Sequence, residues 1–257
     1  SSGRRRRRGV ALARVAGRPD LVCRSGRGIT PALEIILDEA AAASRATGTG
    51  VGIVVAASRI RHPLDARVLA RLAARYAGDG PGSVVGFGLS NDERRGDTTE
   101  FAPAFAIAHR AGLASVPHAG ELLGPAAVQQ TLGSLRPERI GHGVRAVEDP
   151  RVLEELAHSG VTLEVCPGSN VAMGVFADPS EVPLRALVEH GIPIALGADD
   201  PLLFGSRLVA QYELAREQLG FSDSELAALA SQSLAASRAP QSVRAAAAND
   251  TAAWLST

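Results

Sequence analysis

From residue 29 onward the chain alternates between short, mainly apolar runs and longer amphipathic stretches. The runs at 52–56, 84–89, 113–116, 139–141, 161–165 and 192–196 have strand length and are mostly apolar, although Arg139, Thr162 and Glu164 interrupt two of them. That is the pattern of strands buried on both faces, as in a parallel sheet covered by helices. The stretches between them repeat apolar positions at helical spacing, as Val68, Leu69 and Leu72 do within 65–76. Further helices are expected over 32–43, 100–111, 125–132, 150–158, 182–190, 206–218 and 222–237. The helix over 32–43 is expected to be capped by Thr30, with Pro31 at the first helical position.

Strand and helix in alternation, with short connections, predict an α/β fold. About six strand–helix units are countable from Gly52, and residues 10–15 are a candidate degraded seventh strand. The expected fold is a (β/α)8 TIM-type barrel, incomplete at its first strand–helix unit, with an open doubly wound sheet as the alternative. Residues 1–28 read as an irregular Arg/Gly-rich leader and residues 29–257 as the barrel domain.

A barrel of this kind carries its chemistry at the C-terminal ends of its strands. Those ends hold His118 with Gly120 and Glu121 just beyond it, then His142, then the adjacent Asp199 and Asp200. Imidazoles and carboxylates on one rim suit a borderline cation such as zinc and leave a carboxylate for proton transfer. Each residue alone has a plainer reading. A strand-end histidine more often packs or caps, and aspartates before Pro201 cap a helix. Joint placement favours chemistry.

The 257 residues carry 27 basic and 27 acidic side chains, and every basic one is arginine. Without lysine, Schiff-base chemistry, pyridoxal phosphate attachment and a Walker-type phosphate loop are excluded. Zero net charge argues against nucleic acid or a membrane surface as partner of the main body. The run Arg4 to Arg8 reads as a solvated leader rather than a nucleic-acid arm. Two distant cysteines, Cys23 and Cys166, predict no disulfide framework and a cytoplasmic setting. Cys166 is expected to be a small buried residue. No apolar run approaches the roughly 20 residues of a membrane helix, and no secretory signal is expected.

Four ordered stretches carry a resemblance: Pro117-His118-Ala119-Gly120-Glu121, Arg139-Ile140-Gly141-His142-Gly143, Leu163-Glu164-Val165-Cys166-Pro167-Gly168-Ser169-Asn170 and Gly197-Ala198-Asp199-Asp200-Pro201. They resemble the motifs of the adenosine deaminase family, in the amidohydrolase superfamily, from about Gly52 to Leu255. The resemblance implies hydrolytic deamination of an adenine-containing nucleoside or base with one zinc ion as cofactor. His118 and Asp199 then match zinc ligands. Glu121 matches the acid that protonates purine N1, and His142 matches the histidine that orients the attacking hydroxide. Asp200 matches a residue that bonds purine N7, and Gly120 would line the substrate. Leu89-Ser90-Asn91-Asp92-Glu93 resembles the loop against the purine edge, with Asn91 where the commoner pattern has Gly. Asn would hold a left-handed backbone there less easily, and the departure points to a subgroup with its own substrate, such as adenine or aminodeoxyfutalosine.

The family's His-x-His zinc pair on the first strand has no counterpart among the six histidines, since no two are separated by one residue. His62, His109, His158 and His190 are read as exposed or capping residues. With two of four ligands, zinc affinity should be weakened. The alternative reading is a non-catalytic relative of the family with an incomplete zinc site. A seven-stranded barrel would leave two open sheet edges, so a homo-oligomer is among the expected partners.

Overall fold

Seven parallel strands lie side by side in sequence order: β1 (Val10–Ala13), β2 (Gly50–Ser58), β3 (Val84–Ser90), β4 (Ala114–Ala119), β5 (Arg139–His142), β6 (Thr162–Val165) and β7 (Ile194–Leu196). The computed structural model describes residues 10–13 and 28–256. The Arg4 to Arg8 run and Cys23 lie outside the described residues. A doubly wound sheet reverses its strand order at a switch point. Here the order never reverses, so the sheet is that of a TIM-type barrel. Among the described residues β1 pairs with β2 alone and β7 with β6 alone, which leaves the barrel one strand short of eight.

Helices follow the strands as the periodicity predicts. They are α1 (Ile29–Thr47), α2 (Pro63–Arg75), α3 (Ala102–Arg110), α4 (Pro125–Leu135), α5 (Pro150–Ser159), α6 (Pro167–Ala172), α7 (Leu184–Glu189), α8 (Pro201–Phe204), α9 (Leu208–Glu217), α10 (Asp223–Ala235) and α11 (Gln241–Leu255). Thr30 is not the cap of α1. The helix starts at Ile29, with Gly28 at the N-cap and no side-chain cap bond. Pro31 fits inside the first turn because its missing N–H has no intrahelical partner to lose. The helix expected over 100–111 is present as α3 and begins two residues later, with proline in its first turn, after a 3-10 turn, Thr98–Phe101, capped by the Asp97 carboxylate.

The core has two large apolar layers between sheet and helices. One packs β2 and β3 against α1, α2 and α3, with Phe87, Phe101 and Phe105 buried at its centre. The other packs β5, β6 and β7 against α5, α7 and α10. All seven residues of β3 are buried, as expected of a strand covered on both faces. A small third cluster joins Val54, Val85, Ala114 and Val116. This scaffold fixes the strand exits, where the polar residues gather.

Candidate active site

The exits of β4, β5 and β7 bring three titratable side chains together. Ligand atoms of Glu121, His142 and Asp199 all lie within 4.8 Å of one another. Parallel pairing places Ala119 opposite His142 and His118 opposite Gly141. The next bonds lock the two exits: Gly143 N–H donates to Ala119 O at 2.9 Å, and Arg145 N–H donates to Gly120 O at 2.9 Å. Gly120 makes the turn from β4 to Glu121 with φ +71°, and a Cβ there would stand 2.4 Å from Val128 Cγ2. Thus a tight, glycine-dependent turn delivers Glu121 to the rim.

Glu121 and His142 are both buried. His142 Nδ1 lies 3.4 Å from Glu121 Oε1. The amide of Asn170, itself fully buried, spans the pair: its Nδ2 is 3.2 Å from Glu121 Oε1 and 3.3 Å from His142 Nδ1. Ser169 Oγ donates to Asp199 Oδ2 at 2.6 Å. Neighbouring residues of α6 therefore orient both the Glu121–His142 pair and the aspartate. The sequence pattern does not single out either role, although both residues stand in the third motif.

His118 packs its ring edge-on to His142, with centroids 4.9 Å apart. Gly141 makes room for it, since a Cβ on Gly141 would stand 2.4 Å from His118 Cδ2. Asp200 sits apart in role. Its exposed carboxylate caps α8, with Oδ1 accepting from Leu202 N–H at 3.1 Å and Leu203 N–H at 3.0 Å. Asn91, at the exit of β3, holds φ +73°, and its Nδ2 donates to Ser58 Oγ at 2.8 Å. The left-handed backbone that Gly would adopt there is thus held by Asn, which tolerates that region better than other side chains.

The remaining histidines act on backbone. His62 Nδ1 accepts from Leu64 N–H and caps α2. Ring nitrogens of His109, His158 and His190 lie at hydrogen-bond distance from the carbonyls of Leu135, Glu154 and Ala186. Cys166 is buried. Among the described residues no helix is long and apolar enough to cross a membrane.

Two carboxylates and an imidazole on a barrel rim, beside a second imidazole, form a donor set suited to zinc. Fold and rim together define a TIM-type barrel with candidate metal and proton-transfer residues at its strand exits. Residues 3–254 match the adenosine deaminase family profile, and the chain belongs to that family. A Streptomyces coelicolor protein provisionally assigned as an adenosine/adenine deaminase is 63% identical over 217 residues, covering 84% of this chain and 62% of that protein. The chain thus spans about three-fifths of that relative's length. The crystal structure of adenine deaminase from Arthrobacter aurescens superposes with a TM-score of 0.85 at 28% identity, covering 93% of this chain and 72% of that one. An amidohydrolase from Burkholderia ambifaria, solved with bound Zn, shares the fold with a TM-score of 0.81 at 22% identity, over 95% of this chain and 70% of that one.

Proposed function

We propose that this rim is a site for hydrolytic deamination of an adenine-type purine, either adenine or an adenosine-like nucleoside. The convergence of Glu121, His142 and Asp199 within 4.8 Å carries the reading. His118 and Asp199 would hold a zinc ion, with His142 and Glu121 beside them. A bound zinc ion would make water acidic enough to serve as nucleophile near neutral pH.

The side chains divide the proton transfers. Glu121 gives a proton to purine N1 as the water oxygen bonds to C6, so charge does not build on the ring. His142, held through Nδ1 by Glu121 and Asn170, turns its other ring nitrogen to the attacking oxygen. Asp199, fixed by Ser169, passes one water proton to the amino nitrogen. The C6–N6 bond then breaks and ammonia leaves. The second water proton returns to Glu121, and the product keeps a carbonyl at C6 and the proton on N1. Asn91 and Gly120 would face the purine edge, and Asp200, whose two capping bonds both fall on Oδ1, would meet N7 through Oδ2 with a proton shared between these two acceptors.

The test is purine absorbance of the purified chain with adenine and with adenosine, in saturating zinc. E121Q should lower kcat by about 10²- to 10⁴-fold, the usual worth of a positioned general acid. Turnover untouched by E121Q would refute the assignment.

A further inference from the structure

Three successive backbone amides converge on one oxygen of Glu93. The N–H groups of Glu121, Leu122 and Leu123 donate to its Oε2 at 3.0, 2.8 and 2.9 Å. Glu93 follows the exit of β3 and is only 3% exposed. Arg59, the first residue past β2, is equally buried at 4%. Its Nη1 donates to Thr98 Oγ1 at 2.8 Å and its Nη2 donates to the His118 carbonyl at 2.6 Å. Burial lowers the guanidinium's pKa, and the field of Glu93 acts in the opposite direction.

Two buried opposite charges that do not bond each other directly, each tied to backbone or hydroxyl groups, are an expensive way to hold a fold. Apolar residues of similar volume do as well, because both charges must be taken out of water. What a carboxylate offers instead is direction. Three N–H donors meeting on one oxygen fix a loop in space, as backbone nests fix an anion. Here the fixed loop begins with Glu121 itself, and the carbonyl held by Arg59 belongs to His118. The pair therefore grips the β4 exit on both sides of Gly120, at the residues proposed to donate the proton and to hold the metal.

We propose that Glu93 and Arg59 are positioning residues that set Glu121 and His118 relative to His142 and Asp199 by clamping the backbone of the β4 exit. This rests on reading Glu121 as the acid of a deaminase.

The test uses the full chain in saturating zinc with E93Q, which keeps size and one acceptor oxygen, and E93A, which removes both. Hydrogen exchange at Glu121–Leu123 should speed by about tenfold or more in E93Q, with β2 and β3 amides unchanged. kcat should fall about 10- to 100-fold, the scale of a misplaced catalytic group, with KM moved far less. Exchange at these amides as slow as in the parent overturns the clamp. Faster exchange with unchanged kcat overturns its positioning role and leaves a purely structural one. If E93A does not fold, E93Q decides alone. A parent chain without turnover would fail the deaminase reading separately. The clamp then stands on faster exchange together with weaker zinc binding in E93Q, and falls if either is missing.

Discussion

Asn91, Arg136, His142 and Asp199 are the non-glycine residues with a left-handed backbone among the described residues, at φ +73°, +46°, +67° and +55°. Three of these four stand at strand exits on the rim. Such conformations cost free energy and persist where surrounding structure fixes them, often at functional sites. His142 is fixed by the lock between the β4 and β5 exits, and Asn91 by its bond to Ser58. Asn91 thus answers the question its sequence position raises, because a side chain that tolerates the left-handed region replaces glycine without forcing another backbone path. N91A should cost about 1 kcal/mol of stability, because it keeps the Cβ strain and loses both the bond to Ser58 and the amide that eases a left-handed backbone, whereas N91G loses the same bond but sheds the strain and should cost clearly less. Denaturant midpoints of the two variants check this, and equal midpoints would show that φ +73° carries no strain. Residues proposed to act by their own chemistry are legible in the sequence: His118, Glu121, His142 and Asp199 combine a reactive type with a strand-end position. Ser169, Asn170, Arg59 and Glu93 are not, because what sets them apart is the groups they bond, and such partners are defined only by folded distances.

The elements divide in the same way. The strands β2 and β3 are legible because burial on both faces makes them nearly uninterrupted apolar runs, and β3 is buried at every position, whereas β5 and β6 carry Arg139 and Glu164 within the strand. Helices lying on the sheet are legible by their apolar stripe. Helix α11 is Ala-rich and buries no residue, so it shows no apolar stripe and periodicity passes over it. Helix α6 has six residues and opens on a proline after Cys166, too short for a period to show. Helix α10 is announced by its cap. Ser222 and Glu225 form a reciprocal capping box, and Arg185 donates to Glu225 Oε1 at 2.9 Å. The Ser222 N–H and hydroxyl, with Arg185, bring the Glu225 carboxyl down from 4.5 to about 2. A depressed carboxyl stabilises the fold fully above its unfolded value and loses that contribution as pH falls through its folded one. The wild-type chain should therefore lose thermal stability between about pH 4.5 and about pH 2 more steeply than E225Q. Parallel melting curves over that window would remove Glu225 from the acid sensitivity of the fold.

At the scale of the whole molecule the rim ties together distant parts of the chain. Asp199 follows β7, at one end of the strand order, while His118 lies in β4 at its middle. Among the described residues β7 pairs on one side only, where Gly197 N–H donates to Val165 O at 2.9 Å and Ser169 donates to Asp199, while its other edge has no strand partner. A zinc ion shared by His118 and Asp199 would add a second tie across this gap. An ion that binds the native state and not the unfolded chain stabilises it by about 2.7 kcal/mol at 100 times its dissociation constant. For a domain of this size that raises the melting midpoint by roughly 5–10 °C. The chain supplies two of the four protein ligands the family pattern expects, so the free zinc needed should be high, but the rise at matched saturation is fixed by linkage alone. A chelator should reverse the rise, and H118A and D199A should each abolish it, whereas H190A, whose imidazole bonds a helix carbonyl, should keep it. A midpoint indifferent to zinc, or a rise that survives D199A, would place the ion elsewhere and remove the metal from the proposed chemistry of this rim.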